Sequence, residues 1–256
     1  MHVMPLVFFL GVTPLLLLAG GLGAFVRRRY PGLIGAEMEG PFTGLQAAVL
    51  ALLGLLLGFS FSMAVGRFEE RRLAQVEEAN AIGTSYLRLG TLESGAAAEQ
   101  RGLMAEYVRR RLEFLEAGEG APGLQTAAEG TAELQGKMWA NALRSEAVGR
   151  RDPVSNAYLG SLTEVFDASE RMQSASENRI PGTAWMLLTA VAAISSFLVG
   201  MGVRRWNSLL LLTLPLVVAA TLALIDDIDS PRGGLIRQPR ESMERVLQQI
   251  QAGQAR

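Results

Sequence analysis

Four stretches of this chain are uncharged and almost continuously apolar: Val3–Val26, Phe42–Val65, Ala184–Val203 and Trp206–Ile225. At 1.5 Å rise per residue, about 20 such residues cross the roughly 30 Å hydrocarbon core of a bilayer. Inside lipid every backbone polar group must be satisfied within the protein, and an uninterrupted apolar run does this as a helix. The predicted fold class is therefore an all-α membrane protein with four transmembrane helices. The second run imposes a further constraint. It passes without punctuation into a charged segment, GRFEERRLAQVEEANAIGTSYLRL (Gly66–Leu89), which has no proline and Gly83 as its one interior glycine. Nothing there stops a helix, so the spacing predicts one rod that spans the membrane and projects into water.

Composition narrows the function. There is no cysteine, and the single histidine is His2, beside a terminus. Thiolate chemistry, thiolate metal sites and a serine–histidine relay all lack their residues. A non-enzymatic role is expected. The formal net charge is −1, which offers no global attraction for nucleic acid. The four apolar runs contain no Asp, Glu, Lys, Arg or His, so there is no intramembrane relay of the sort ion-coupled transporters use.

Taken in order, residues 1–66 hold spans one and two. Met1–Ala24 lacks a basic start and is too long for a cleaved leader, so a retained first span is expected. Pro5, Pro14 and Gly20-Gly21 are candidate kinks, and Tyr30–Pro41 is a short link with turn signals. In span two, Ala47, Ala51, Gly54, Gly58 and Ser62 share a face. The Gly54-xxx-Gly58 spacing suits close helix approach, within one subunit or between subunits.

Residues 67–183 read as a helical extramembrane domain continuous with the second span. Val76, Ala79, Gly83 and Tyr86 extend one stripe. Leu103, Met104, Tyr107, Val108, Leu112 and Leu115 form a second, and Leu134, Met138, Trp139 and Ala142 suggest a third. Gly118–Gly123 is a loop by composition. Asp152-Pro153 is a helix start, followed by a heptad-like stripe of Val154, Tyr158, Ser161, Leu162, Val165, Ser169 and Met172. Residues 184–225 hold spans three and four, joined through Arg204-Arg205. Residues 226–256 form an acidic turn and an amphipathic helix with Met243, Val246, Leu247 and Ile250 on one face. Asp226, Asp227 and Asp229 sit badly with the negative end of a helix dipole, so they need partners: a cation, a neighbouring arginine or backbone N–H groups. Arg67, Arg71 and Arg72 are the candidate arginines. Four spans place both termini and the extramembrane domain on one side. The arginine distribution does not choose which, because Arg27–Arg29 and Arg204-Arg205 oppose Arg67, Arg71, Arg72 and Arg179.

The segment LGFSFSMAVGRFEERR (Leu57–Arg72) resembles the second transmembrane helix of bestrophins, with Leu57, Gly58, Phe59, Val65, Arg67 and Phe68 in register. The continuation EANAIGTSYLRL (Glu78–Leu89), the RIPGTAW entry (Arg179–Trp185) and the DDIDSPRGGLI exit (Asp226–Ile236) are similar to a largely uncharacterised bacterial family described as bestrophin-like. The resemblance implies a homopentamer in the cell (inner) membrane, with the helical domain and termini cytoplasmic and a central pore lined by the second helix. Ala51, Leu55 and Phe59 match the family's hydrophobic neck, although Ala51 replaces a bulky residue. These three also lie at i, i+4 and i+8, on one side of a helix. Bestrophins bind calcium through acids after the fourth span. Asp226, Asp227 and Asp229 are similarly placed, but the family's Pro-Phe-Gly and acidic run are missing, so salt bridges are expected ahead of calcium.

Two functions of different class follow. One is an oligomeric channel that passes small inorganic ions passively, with the chain itself and the bilayer as its partners. The other is a non-conducting membrane scaffold or regulator that binds another protein through the helical domain.

Overall fold

The computed structural model describes residues 4–91, 94–117, 122–144, 153–203 and 208–254, and α-helix dominates them, with no strand among the described residues. The long helices are α1 (Met4–Arg29), α2 (Glu39–Arg88), α3 (Ser94–Glu116), α4 (Pro122–Arg144), α5 (Pro153–Glu177), α6 (Gly182–Gly202), α7 (Ser208–Asp229) and α8 (Glu241–Gln254). His2, the Gly118–Ala121 part of the expected loop, Asp152 and the Arg204-Arg205 link lie outside the described residues.

The second apolar run and the charged run after it do form one helix. α2 has 50 residues, or about 75 Å at 1.5 Å per residue. Its one proline, Pro41, falls in the first turn, where a missing N–H costs nothing. Around α2 the molecule is built in three tiers. In the membrane tier, α1 packs along α6 and α7, and the buried core comprises Val12, Leu16, Leu53, Leu188, Ala192, Val218, Ala219 and Leu222. Phe8 meets Trp185 edge to face, with ring centroids 5.2 Å apart.

α1 and α6 approach each other closely. A Cβ built on Gly200 would overlap the carbonyl oxygen of Gly20, and one on Gly23 would overlap that of Phe197. Two backbones this near require glycine at the crossing. Gly20 of the Gly20-Gly21 pair, expected as a kink, thus supplies part of a packing surface inside a continuous helix, while a Cβ on Gly21 would meet nothing within 4 Å.

At the membrane boundary, Ala64, Ile180, Ile225 and Ile228 form a small core between α2, the α5–α6 junction and the end of α7. The extramembrane tier is an antiparallel bundle in which α5 runs along the outer half of α2, α3 pairs with α4, and α8 lies across α2 and α3. Its core includes Ile82, Leu89, Met104, Tyr107, Val108, Met138, Tyr158, Leu162, Val165, Met243 and Ile250. The stripe on α5 is the reason for the pairing: Tyr158, Ser161, Leu162, Val165, Ser169 and Met172 are all buried. The amphipathic tail docks on its own chain, where the Tyr86 hydroxyl donates to the Ile250 carbonyl at 3.3 Å.

One boundary shifts. The acidic turn expected from residue 226 is still helix, because α7 continues to Asp229 and the turn follows it.

Candidate functional site

The candidate site is α2 itself, and its first property is how little of it the subunit covers. Only 11% of its apolar window is buried, against 28%, 28% and 39% for the other three spans. Leu53, Ala64 and Arg71 mark the side turned toward α6 and α7. At about 100° per residue, Ala51, Leu55, Gly58 and Ser62 fall on the opposite side, with Phe59 at its margin. All five are exposed in the single chain, Leu55 at 55% and Phe59 at 63%. Gly54 is exposed too, and a Cβ on Gly54 or Gly58 would meet nothing within 4 Å. Within the subunit nothing packs against Gly54 or Gly58, and Ser62 is exposed beside them. The close crossing belongs to α1 and α6, whose Gly20, Gly23 and Gly200 carry a small-residue signal that spacing within any one helix did not flag.

The same uncovered line continues beyond the membrane tier. Leu73, Val76 and Leu87 are 50%, 37% and 69% exposed, and by helical angle they sit on the Ala51–Leu55 side.

The acids at the end of α7 form an anchor. Asp229 is buried; its Oδ2 accepts the Ile180 N–H at 3.0 Å and lies 3.9 Å from Arg179 Nε, while Oδ1 lies 3.6 Å from Arg67 Nη1. Arg71, fully buried, donates to the carbonyls of Ile228 at 2.7 Å and Asp229 at 3.3 Å. A guanidinium from α2 thus caps the C-terminus of α7, satisfying carbonyls that a helix end leaves open and opposing its negative dipole. This is why α7 holds its helix through three acids. Asp227 faces the other way: Oδ1 accepts the Leu235 N–H at 2.7 Å and Oδ2 the Ile236 N–H at 3.0 Å. Gly234 completes the turn with φ of 88°, and a Cβ there would strike the Asp227 carboxylate. Asp226 is half-buried beside Arg179 and Trp185.

Arg72 does not join this anchor. It pairs with Glu69 on the surface, with Nε to Oε2 at 2.9 Å, because one residue of helix turns it about 100° away from Arg71. The carboxylate oxygens a calcium ion would draw on are engaged in the anchor. Calcium takes six to eight oxygens, whereas the Asp227 oxygens accept backbone N–H groups and Asp229 is ringed by guanidinium groups. Among the described residues no three Asp, Glu, His or Cys side chains gather as a metal site.

A second link to α2 was not foreseen from sequence. Glu78 and Arg111 form a bidentate pair inside the bundle, Nη2 to Oε2 at 2.9 Å and Nε to Oε1, with 0% and 2% of the side chains exposed. Burial pulls the Arg111 guanidinium down, but the Glu78 carboxylate outweighs it and the group is held above its ordinary range. Arg111 also lies over the Phe114 ring at 4.7 Å, and Arg232 lies over the same ring at 4.3 Å. Glu78 reads in sequence as one more acid on a charged helix; only its partner on α3, 33 residues away, distinguishes it.

Similarity to known proteins agrees with this architecture. No curated protein matches the sequence significantly. Crystal structures of a bacterial bestrophin homologue from Klebsiella pneumoniae share the fold. A tryptophan-to-alanine variant superposes with a TM-score of 0.73 at 14% identity, covering 100% of both chains. A tyrosine-to-alanine variant gives 0.69 at 15% identity over 97% of this chain and 99% of the other. A structure phased on zinc gives 0.69 at 16% identity over 96% and 98%. The sequence model described as the Bestrophin-like domain matches residues 13–241, most of the chain and all of α2, so this four-span membrane protein belongs to the bestrophin-like family.

Proposed function

We propose that the protein is the subunit of an oligomeric, pentameric ion channel, with α2 of each copy lining a central pore and small inorganic ions passing without coupling. The observation that carries this is the uncovered line on α2. It is apolar through the membrane at Ala51, Leu55 and Phe59, and it stays partly apolar in the water-exposed half at Leu73, Val76 and Leu87. Lipid satisfies the first part of such a line but not the second. Copies of the rod set around an axis satisfy both. Rings of Leu55 and Phe59 then narrow the passage, and apolar rings gate by dewetting. Ala51 contributes a wider ring. Arg71 and Glu78 tie the same rod to α7 and α3, so movement of the bundle is transmitted to the pore. The bundle and both termini share one side of the membrane, the cytoplasmic side in this proposal.

Reconstitution in planar bilayers tests the reading. Purified protein is expected to conduct, and Leu55→Ala with Phe59→Ala is expected to raise the open fraction or the conductance. A silent wild type, or currents unchanged by the double substitution, refutes it. Mass in detergent separates the rival: a monomer or dimer leaves a scaffold that binds another protein, a ring-sized oligomer does not.

A further inference from the structure

The turn after the fourth span is fixed at the edge of the bilayer and carries apolar side chains on its outside. The uncharged run Trp206–Ile225 is long enough to cross the hydrocarbon core once, so Ile225 lies near one face of that core. Two other runs end at the same level. Arg67, just past Val65, and Arg179, just ahead of Ala184, lie 3.6 and 3.9 Å from the Asp229 carboxylate. Asp227 is about 3 Å of helix rise beyond Ile225, and helical side chains lean toward the start of their helix, here toward the membrane. Its carboxylate holds the Leu235 and Ile236 N–H groups, which brings the chain back to that level. Ser230 Oγ accepts the Gly233 N–H at 3.1 Å, and Gly234 turns with positive φ. Leu235, held in this way, is 90% exposed, the highest value for a large apolar side chain among the described residues, and Ile236 is exposed beside it. The two prolong a line on α7. Val217, Ala220 and Leu224 are exposed along one face, and Asp227 comes next on it, buried under the turn. Between Ser230 and Arg240 are three arginines and no acid. Arg232 lies over the Phe114 ring and Arg240 beside Glu116, whereas Arg237 is exposed and has no ion pair among the described residues.

We infer that this turn is a membrane-surface anchor: Leu235 and Ile236 enter the interfacial layer of the leaflet on the bundle side, and Arg237 takes an anionic phospholipid headgroup. An apolar side chain at that depth leaves water for the upper acyl chains, while a guanidinium beside it stays among the phosphates. Arginine suits the site because its planar fork meets two phosphate oxygens at once, and an anionic leaflet draws it in. A second copy of the chain seated on the turn would bury Arg237 and need a carboxylate opposite it. A leaflet supplies apolar depth and phosphate together, in line with the exposed face of α7. The same segment reaches the pore rod, since Gln238 Nε2 donates to the Phe68 carbonyl of α2 at 2.9 Å. The leaflet therefore holds α2 through this turn. The inference rests on the four-span topology and not on conduction.

The chain has no cysteine, so Leu235→Cys places a single NBD fluorophore on the turn of the full-length protein. Leu143→Cys, exposed on α4 in the bundle, gives the control, and Ile236→Cys repeats the measurement on the neighbouring side chain. Each is reconstituted in phosphatidylcholine vesicles, with nitroxide-labelled phosphatidylcholine or phosphatidylglycerol as the quencher in lipid and iodide as the quencher in water. Unfolding temperatures equal to wild type check that the labelled chains fold. The label at position 235 is expected to be quenched by nitroxide lipid and shielded from iodide, and the label at 143 to show the reverse. Nitroxide phosphatidylglycerol is expected to act at about fivefold lower mole fraction than nitroxide phosphatidylcholine, the share of one arginine at an anionic surface. Arg237→Gln is expected to bring the two lipids together. The inference is overturned if iodide quenches position 235 as it does 143, or if neither quencher reaches 235, which places the turn against protein. It is also overturned if phosphatidylglycerol has no advantage, or keeps it in Arg237→Gln.

Discussion

Removing one member of the Glu78–Arg111 pair tests how the bundle is held to the long helix. The two groups are 0% and 2% exposed and doubly hydrogen-bonded. Glu78→Ala leaves a guanidinium inside the bundle with no counter-charge, and Arg111→Ala leaves a carboxylate in the same position. Breaking a buried pair in this way costs about 3–5 kcal/mol. Replacing both with apolar residues of similar volume removes the desolvation penalty along with the attraction. Glu78→Leu with Arg111→Met is therefore expected to fall within about 1–2 kcal/mol of wild type, some of that from the lost contact of Arg111 with Phe114. The assay is thermal unfolding in detergent. For a chain of this length 1 kcal/mol moves the midpoint about 2–4 °C, so each single variant is expected to drop by roughly 10 °C and the apolar pair to recover most of it. Midpoints of the single variants within 2 °C of wild type refute the reasoning. So does a double variant that loses the sum of the two, because the coupling would then be absent.

The α1–α6 crossing gives a second expectation. Gly200→Val places a branched side chain where even a Cβ overlaps the Gly20 carbonyl, so the helices must separate at a cost of about 1–3 kcal/mol; a midpoint unchanged from wild type shows that the crossing is loose. Alkaline pH gives a third. Burial, then the Glu78 carboxylate, pushes the Tyr107 phenol up to about 12, and burial raises Tyr158 as well. The folded chain keeps protons that the unfolded chain releases above about pH 10. Their contribution is therefore complete below pH 10 and falls by about 1.4 kcal/mol per group per pH unit up to about pH 12. Midpoints measured from pH 9 to 11.5 should fall more steeply for wild type than for Tyr107→Phe, and equal slopes contradict the assignment.

Much of this architecture was legible before any coordinates. Four uncharged runs admit no other solution in a bilayer, and the lack of punctuation between Val65 and Gly66 is enough to join membrane and water in one rod. The stripes on α5 and α8 were equally plain, since Tyr158, Leu162, Val165, Met243 and Ile250 recur at helical spacing and all are buried. Periodicity along one helix reports which face wants cover. It does not report what covers it.

That second question belonged to the tertiary structure. The small-residue face of α2, a natural candidate for close packing, is the face its own subunit leaves bare, while Gly20, Gly23 and Gly200 make the tight contact from separate helices. Arg71 and Arg72 are neighbours with the same side chain, yet one caps α7 and the other pairs with Glu69. Local sequence sets the 100° between them, but only the position of α7 decides which one is buried. Glu78 meets Arg111 from 33 residues away, and the Gln75 and Gln238 amides donate to the distant carbonyls of Pro239 and Phe68. Hydrophobic pattern is a local property of the chain. The pairing of charges and amides depends on where distant backbone arrives, and that is set by the packing of whole helices.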